Sequence, residues 1–171
     1  MLYPYAESGL PVAQQEKILE TICTNPLASY VFSGPPGVGK TTLLREVERL
    51  ARVARPKNFP VYSRSMMQYQ HDATAVARGE SVGVFVRPHS IRNEAELKLH
   101  WGVFLDDFDK VSGSEFIRLQ VFELVNAICE TDSQLVISTN MNREEFAKFF
   151  GDHIAWRVLK HCTWIEMNRG S

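Results

Sequence analysis

The sequence predicts an α/β fold, a three-layer sandwich built on a mostly parallel five-stranded sheet. Short β-rich apolar runs alternate along the chain with longer segments of helical periodicity. Several of the runs are continuously apolar, the pattern of strands covered on both faces. Polar clusters fall just past those runs, at the strand ends where ligands sit in such sheets. A length of 171 residues suits one domain, and 44% hydrophobic with 23% charged residues excludes disordered and fibrous classes.

Residues 11–23 open with proline and set Val12, Ile18, Leu19 and Ile22 near one stripe, so they read as a helix ended by Asn25-Pro26. A short strand follows at 29–33 and turns abruptly into a glycine-rich loop. The helix at 40–54 places Leu43, Leu44, Val47, Leu50, Ala51 and Ala54 opposite Arg45, Glu48, Arg49 and Arg52. Pro56 marks its end. A second strand is expected at 61–63 and a helix at 65–77, stopped by Gly79. Val82, Val84 and Val86 suggest an extended segment before Pro88, and 93–99 one or two helical turns. The run 101–108 is an apolar strand ending in carboxylates. The longest helix spans 114–130, with Phe116, Ile117, Val121, Leu124, Val125 and Ile128 on its buried side. A strand at 134–140, helices at 142–150 and 152–161, and a last strand at 163–167 complete the chain.

No stretch approaches the ~20 apolar residues that span a bilayer. The start Met1-Leu2-Tyr3-Pro4-Tyr5 has no secretory signal pattern, so a cytoplasmic protein is expected. Tyr3 and Tyr5 either dock on a partner or fold back on the domain, the second being favoured. Cys23, Cys129 and Cys162 are an odd number without a Cys-x-x-Cys pair; they exclude a disulfide framework or zinc ribbon and read as reduced core thiols. A net charge of −1 argues against a surface built wholly for nucleic acid. Locally, Arg45, Arg49, Arg52, Arg55, Lys57 and Arg64 outweigh Glu46 and Glu48, whereas 106–132 is acidic. Either two solvated faces or a basic strip meeting phosphates accounts for this split.

Gly34-Pro35-Pro36-Gly37-Val38-Gly39-Lys40-Thr41 satisfies G-x-x-x-x-G-K-[ST] between a predicted strand and a predicted helix, the context the phosphate-binding (Walker A) loop requires. Glycines let successive N–H groups point inward, and the helix adds its positive end, so donors wrap a polyphosphate. Lys40 would reach the β and γ phosphates and Thr41 would ligate Mg²⁺. Asp106 and Asp107 end an apolar strand. A carboxylate there suits a hard cation that keeps part of its water shell, which assigns Asp106 to the metal and Asp107 to orienting the attacking water. Asp109 competes for either role. Asn140, at the end of the 134–140 strand, emerges on the same rim, where its amide can touch the γ phosphate or the water.

Together GPPGVGKTT, which adds Thr42 to the loop, with VFLDD, ISTN and HIAWRVLKHCTWIEM resemble the AAA+ ATPases of the DnaC and IstB type, bacterial replicative-helicase loaders and transposon helper ATPases. The resemblance spans about 29–167. It implies a P-loop NTPase core at 29–171 without a C-terminal helical lid, preceded at 1–28 by a short N-terminal helical or partner-binding segment. It further implies ATP and Mg²⁺ as ligands, Asn140 as a sensor of the γ phosphate, and Arg157 as a finger reaching a neighbouring subunit's site in an ATP-dependent homo-oligomer. A fixed guanidinium there would offset charge spread over phosphoryl oxygens; Lys160 and Arg118 are alternatives. The expected partners are DNA, single-stranded and without sequence preference, and a replicative helicase or transposase. The stretch 81–92 aligns with nothing in the family; its Arg87, His89 and Arg92 read as decorating an edge strand rather than touching nucleic acid or a subunit. The reading is thus a DNA-acting ATPase switch that loads or directs another protein. A nucleotide or small-molecule kinase, or a weakly hydrolysing ATP-dependent binding module, are the alternatives.

Overall fold

A computed structural model describes residues 10–168 of the chain; Tyr3 and Tyr5 lie outside the described residues. In order, the elements are α1 (Val12–Thr24), β1 (Tyr30–Ser33), α2 (Lys40–Ala54), β2 (Val61–Ser65), α3 (Met66–Ala77), α4 (Pro88–Glu96), β3 (Gly102–Asp106), α5 (Glu115–Glu130), β4 (Gln134–Thr139), α6 (Arg143–Phe150), α7 (Asp152–His161) and β5 (Thr163–Glu166). The five strands run in the order β2-β3-β4-β1-β5 and every pairing is parallel.

Strand periodicity explains the three layers. Successive side chains on a strand point to opposite faces. Tyr30, Phe32, Phe104 and Val136 pack with Leu19, Ile22, Leu43 and Val47 from α1 and α2. The alternating residues Val31, Val103, Leu105, Leu135 and Ile137 pack with residues of α3 to α7. Two apolar cores therefore sandwich one sheet, which is why β1 and β4 are buried throughout. Among the described residues no helix is long and apolar enough to cross a membrane.

Side-chain caps fix several helix starts. The Ser65 and Ser114 hydroxyls accept from the N–H groups of Gln68 and Ile117, and Asn142 forms a reciprocal capping box with Glu145. These residues stand just outside the helices, so each helix starts one position later than the sequence pattern places it.

Five expectations are revised. The segment holding Val82, Val84 and Val86 forms no ladder. Gly83 turns it at φ 78°, Val86 is buried and Phe85 stacks on Tyr69 and meets Tyr62 edge-on. No edge strand carries Arg87, His89 and Arg92. Arg87 lies over the Phe85 ring, while His89 and Arg92 belong to α4, which begins at Pro88 because proline's fixed φ suits a first helical turn; Arg92 pairs with Glu130. The strand through Phe104 stops at Asp106, since Asp107 turns left-handed at φ 53°. Phe116 is exposed, and of the cysteines only Cys162 is a buried core thiol.

At the strand starts, opposite the polar clusters, a buried latch closes the sheet. Arg55 donates from Nη2 to Gln134 Oε1 at 2.6 Å and from Nη1 to the His100 carbonyl at 3.1 Å, and its guanidinium lies over Phe59. Gln134 Nε2 donates in turn to the carbonyls of Pro26 and Ala28. Burial lowers the Arg55 pKa to about 10. Replacing Gln134 by leucine strands the two carbonyls and one guanidinium arm. We expect Gln134→Leu to cost about 2–3 kcal/mol, seen as a lower urea midpoint with an unchanged m-value.

Candidate functional site

The chain leaves β1 at Ser33 and enters α2 at Lys40 through a six-residue loop whose shape depends on glycine. Gly37 and Gly39 take φ of 79° and 103°, where a side chain is strained. Gly34 is constrained differently: a Cβ on it would lie 2.5 Å from the Met167 carbonyl oxygen. Val38 is fully buried and pins the loop to the core beneath. Gly39 is the N-cap of α2 and provides no side-chain cap, so the first-turn amides of α2 keep donor capacity for an anion. Lys40 is buried and its Nζ donates to the carbonyls of Gly34 and Pro35 at 2.8 and 2.7 Å. Pro35 and Pro36 are exposed on the loop, and Thr42 follows Thr41 in the first turn of α2.

Parallel pairing of β3 with β4 brings the acidic tip to this loop. Thr41 Oγ1 donates to Asp106 Oδ2 at 2.8 Å. Ser138, fully buried on β4, donates to Asp106 Oδ1 and accepts the Asp107 N–H at 2.8 Å. Asp107 is left-handed, at φ 53° and ψ 51°, a conformation uncommon outside glycine, asparagine and aspartate. Partial burial, and then the negative charges of Asp106 and Asp109, push its carboxyl pKa upward. Asp109 follows in the 3-10 turn Phe108–Lys110, and its Oδ1 is buried without a hydrogen bond. Asn140 sits one residue past β4 and is exposed. Its neighbourhood is tied to the loop by Ser33 Oγ, which donates to the Met141 carbonyl at 2.8 Å.

The structure therefore gathers Gly34 to Thr42, Asp106, Asp107 and Asn140 on one rim. Arg157 stands apart on α7. Its Nε donates to Asn126 Oδ1 at 2.8 Å, its Nη1 to the His153 carbonyl, and its guanidinium lies over Phe122. Lys160 is exposed over the Trp156 ring. Arg118 is exposed on α5 beside a small apolar cavity of about 70 Å³. Half of the basic strip is engaged in ion pairs, Arg49 with Glu46, Arg52 with Glu48 and Arg64 with Asp72, and Arg55 is buried. Arg45 and Lys57 remain exposed. Ser138 was invisible in the sequence, because a serine inside a buried strand carries no pattern of its own.

The donor set fits the ligands that this geometry suggests. Hydroxyl and carboxylate oxygens at Thr41 and Asp106 are the hard donors Mg²⁺ takes, and two of them suit an ion that also uses water and phosphate. The family model described as "ATPase family associated with various cellular activities (AAA)" matches residues 30–146, more than half of the chain. The chain belongs to the AAA family. No curated protein matches it at a significant level. Among solved structures this AAA domain is similar to the DnaC helicase loader, at TM-score 0.69 and 14% identity with 97% of each chain covered. It is also similar to domain III of the Thermotoga maritima replication initiation protein DnaA, at TM-score 0.68 and 15% identity over 97% of this chain and 67% of that one. A third similar structure is the replication initiator DnaA bound to AMPPCP and single-stranded DNA, at TM-score 0.64 and 17% identity over 96% of this chain. The AAA domain spans 49% of that DnaA chain. At these identities the likeness is one of fold: an all-parallel five-stranded α/β sandwich of the AAA P-loop type.

Because the Gly34 contact is with backbone, little can give way. We expect Gly34→Ala to destabilise the domain by about 1–3 kcal/mol and to weaken retention of a fluorescent ATP analogue, read by melting and by anisotropy. An alanine variant that melts and binds like the parent protein contradicts the close-approach argument.

Proposed function

We propose that this chain binds ATP with Mg²⁺ and hydrolyses it as an assembly-dependent switch, acting on DNA to load or direct a partner such as a replicative helicase or transposase. The observation that carries the reading is the Thr41 to Asp106 contact, which sets a phosphate-type loop against an acidic strand end. In this reading the amides of Gly37, Gly39 and Lys40 hold the phosphates, and Lys40 leaves the Gly34 and Pro35 carbonyls to meet them. Thr41 and Asp106 hold Mg²⁺. When bound, Mg²⁺ neutralises charge building on the phosphate oxygens. Asp107 orients the attacking water and Asn140 contacts the γ phosphate. Arg157, now engaged by Asn126 and Phe122 of its own chain, would exchange those contacts for a neighbouring subunit's phosphates, so hydrolysis follows assembly.

Support for the wider role is one of likeness: one similar structure is named a helicase loader and another is a replication initiator with AMPPCP and single-stranded DNA. The 1–28 segment would meet the partner protein.

Three variants test the chemistry. Lys40→Ala is expected to lose ATP binding in calorimetry, whereas Asp107→Ala keeps binding and loses turnover by at least ~100-fold. Mixing Arg157→Ala with Asp107→Ala subunits should recover part of the phosphate release, because one lends the whole site and the other the arginine. No recovery places Arg157 outside the neighbour's site. For DNA, with three of the strip's six cations ion-paired and Arg55 buried, the logarithmic salt dependence per subunit should be shallow, a slope of about −1 to −2 on single strands, growing when ATP assembles several subunits. A titration in which salt has no effect contradicts phosphate binding.

A further inference from the structure

One hydroxyl that belongs to neither the phosphate loop nor the acidic pair bonds to both acidic residues. Ser138 has a single proton and two lone pairs. The proton goes to Asp106 Oδ1 and a lone pair accepts the Asp107 N–H at 2.8 Å. With Thr41 donating to Asp106 Oδ2, the Asp106 carboxylate is held at both oxygens, by α2 on one side and β4 on the other. Asp107 gains equally: its left-handed backbone is anchored at its own N–H. Ser138 is fully buried, so water cannot replace it.

We propose that Ser138 is a positioning residue for the nucleotide site, one that fixes the Asp106 carboxylate for Mg²⁺ and the Asp107 backbone for the attacking water. The inference rests on the ATPase reading above and adds a residue that neither the phosphate loop nor the acidic pair contains. Alanine fits the space and removes the hydroxyl. It frees Asp106 Oδ1 to rotate about its side-chain torsions and leaves the Asp107 N–H without its partner. Groups that orient a ligating side chain in this way typically change metal affinity or activity by about 10–100-fold.

The test compares Ser138→Ala with Ser138→Thr, which restores a hydroxyl. ATP binding is measured by calorimetry in EDTA and in Mg²⁺, with turnover at saturating MgATP and a melting curve for each protein. In Ser138→Ala, binding in EDTA should stay within twofold of the parent. The Mg²⁺-to-EDTA affinity ratio or kcat should fall about 10–100-fold, and Ser138→Thr should recover most of the loss. A merely structural role would depress EDTA and Mg²⁺ binding together and follow the melting temperature. Three results overturn the proposal: that joint loss, an alanine variant with ratio and kcat within twofold of the parent, or a folded threonine variant as impaired as alanine. Should the alanine protein not fold, Ser138→Cys, a poor donor of similar volume, is compared with threonine by the same criteria. A parent protein that binds no ATP in either buffer overturns the ATPase reading itself, a result distinct from any failure confined to Ser138.

Discussion

One carboxylate joins the parts on which the site depends. Asp106 belongs to β3, yet its oxygens are held by Thr41 at the start of α2 and by Ser138 near the end of β4. Three stretches far apart in sequence meet there because parallel pairing in register, Leu105 beside Ile137, brings their carboxyl ends to one rim. A one-residue slip of β3 would turn Asp106 to the other face of the sheet and point Leu105 at the loop. The slip would also exchange Phe104, packed in one core, with Val103 and Leu105, packed in the other, and close-packed cores resist such a change of shape. The hydrophobic core therefore acts as the ruler that places the chemistry.

The loop and the helix after it show the same division between core and ligand. Val38 faces inward and anchors the loop, while Gly37 and Gly39 supply the backbone bends. Lys40 closes over the carbonyls of Gly34 and Pro35, so its buried ammonium is solvated by the protein itself. Burying that charge without such acceptors would be costly.

Much of this was legible in the residues themselves. The helix after the loop begins and ends where its periodicity places it, because amphipathic spacing and a glycine start agree. The glycine loop and the acidic pair announce themselves by spacing. What escaped was set by tertiary contact. Val82, Val84 and Val86 alternate as a strand does, yet Gly83 bends the chain and the Tyr62 and Tyr69 rings capture Phe85. The basic run looked like a strip because a charge count does not show which cations are tied up: helical neighbours three and four apart pair Arg49 and Arg52, Asp72 pairs Arg64, and Arg55 is buried. Ser138 and the Arg55 to Gln134 latch are single polar residues in apolar surroundings, and only the fold reveals what they face.

That latch has a bearing on how such a domain can change over time. It knots the entrances of β1, β3 and β4 with a buried cation and amide, whereas the exits carry the glycine loop and the acidic pair. Substitutions at well-separated places add nearly independently. A lineage could thus retune its heat tolerance by rewiring the floor of the sheet while the opposite rim is left untouched.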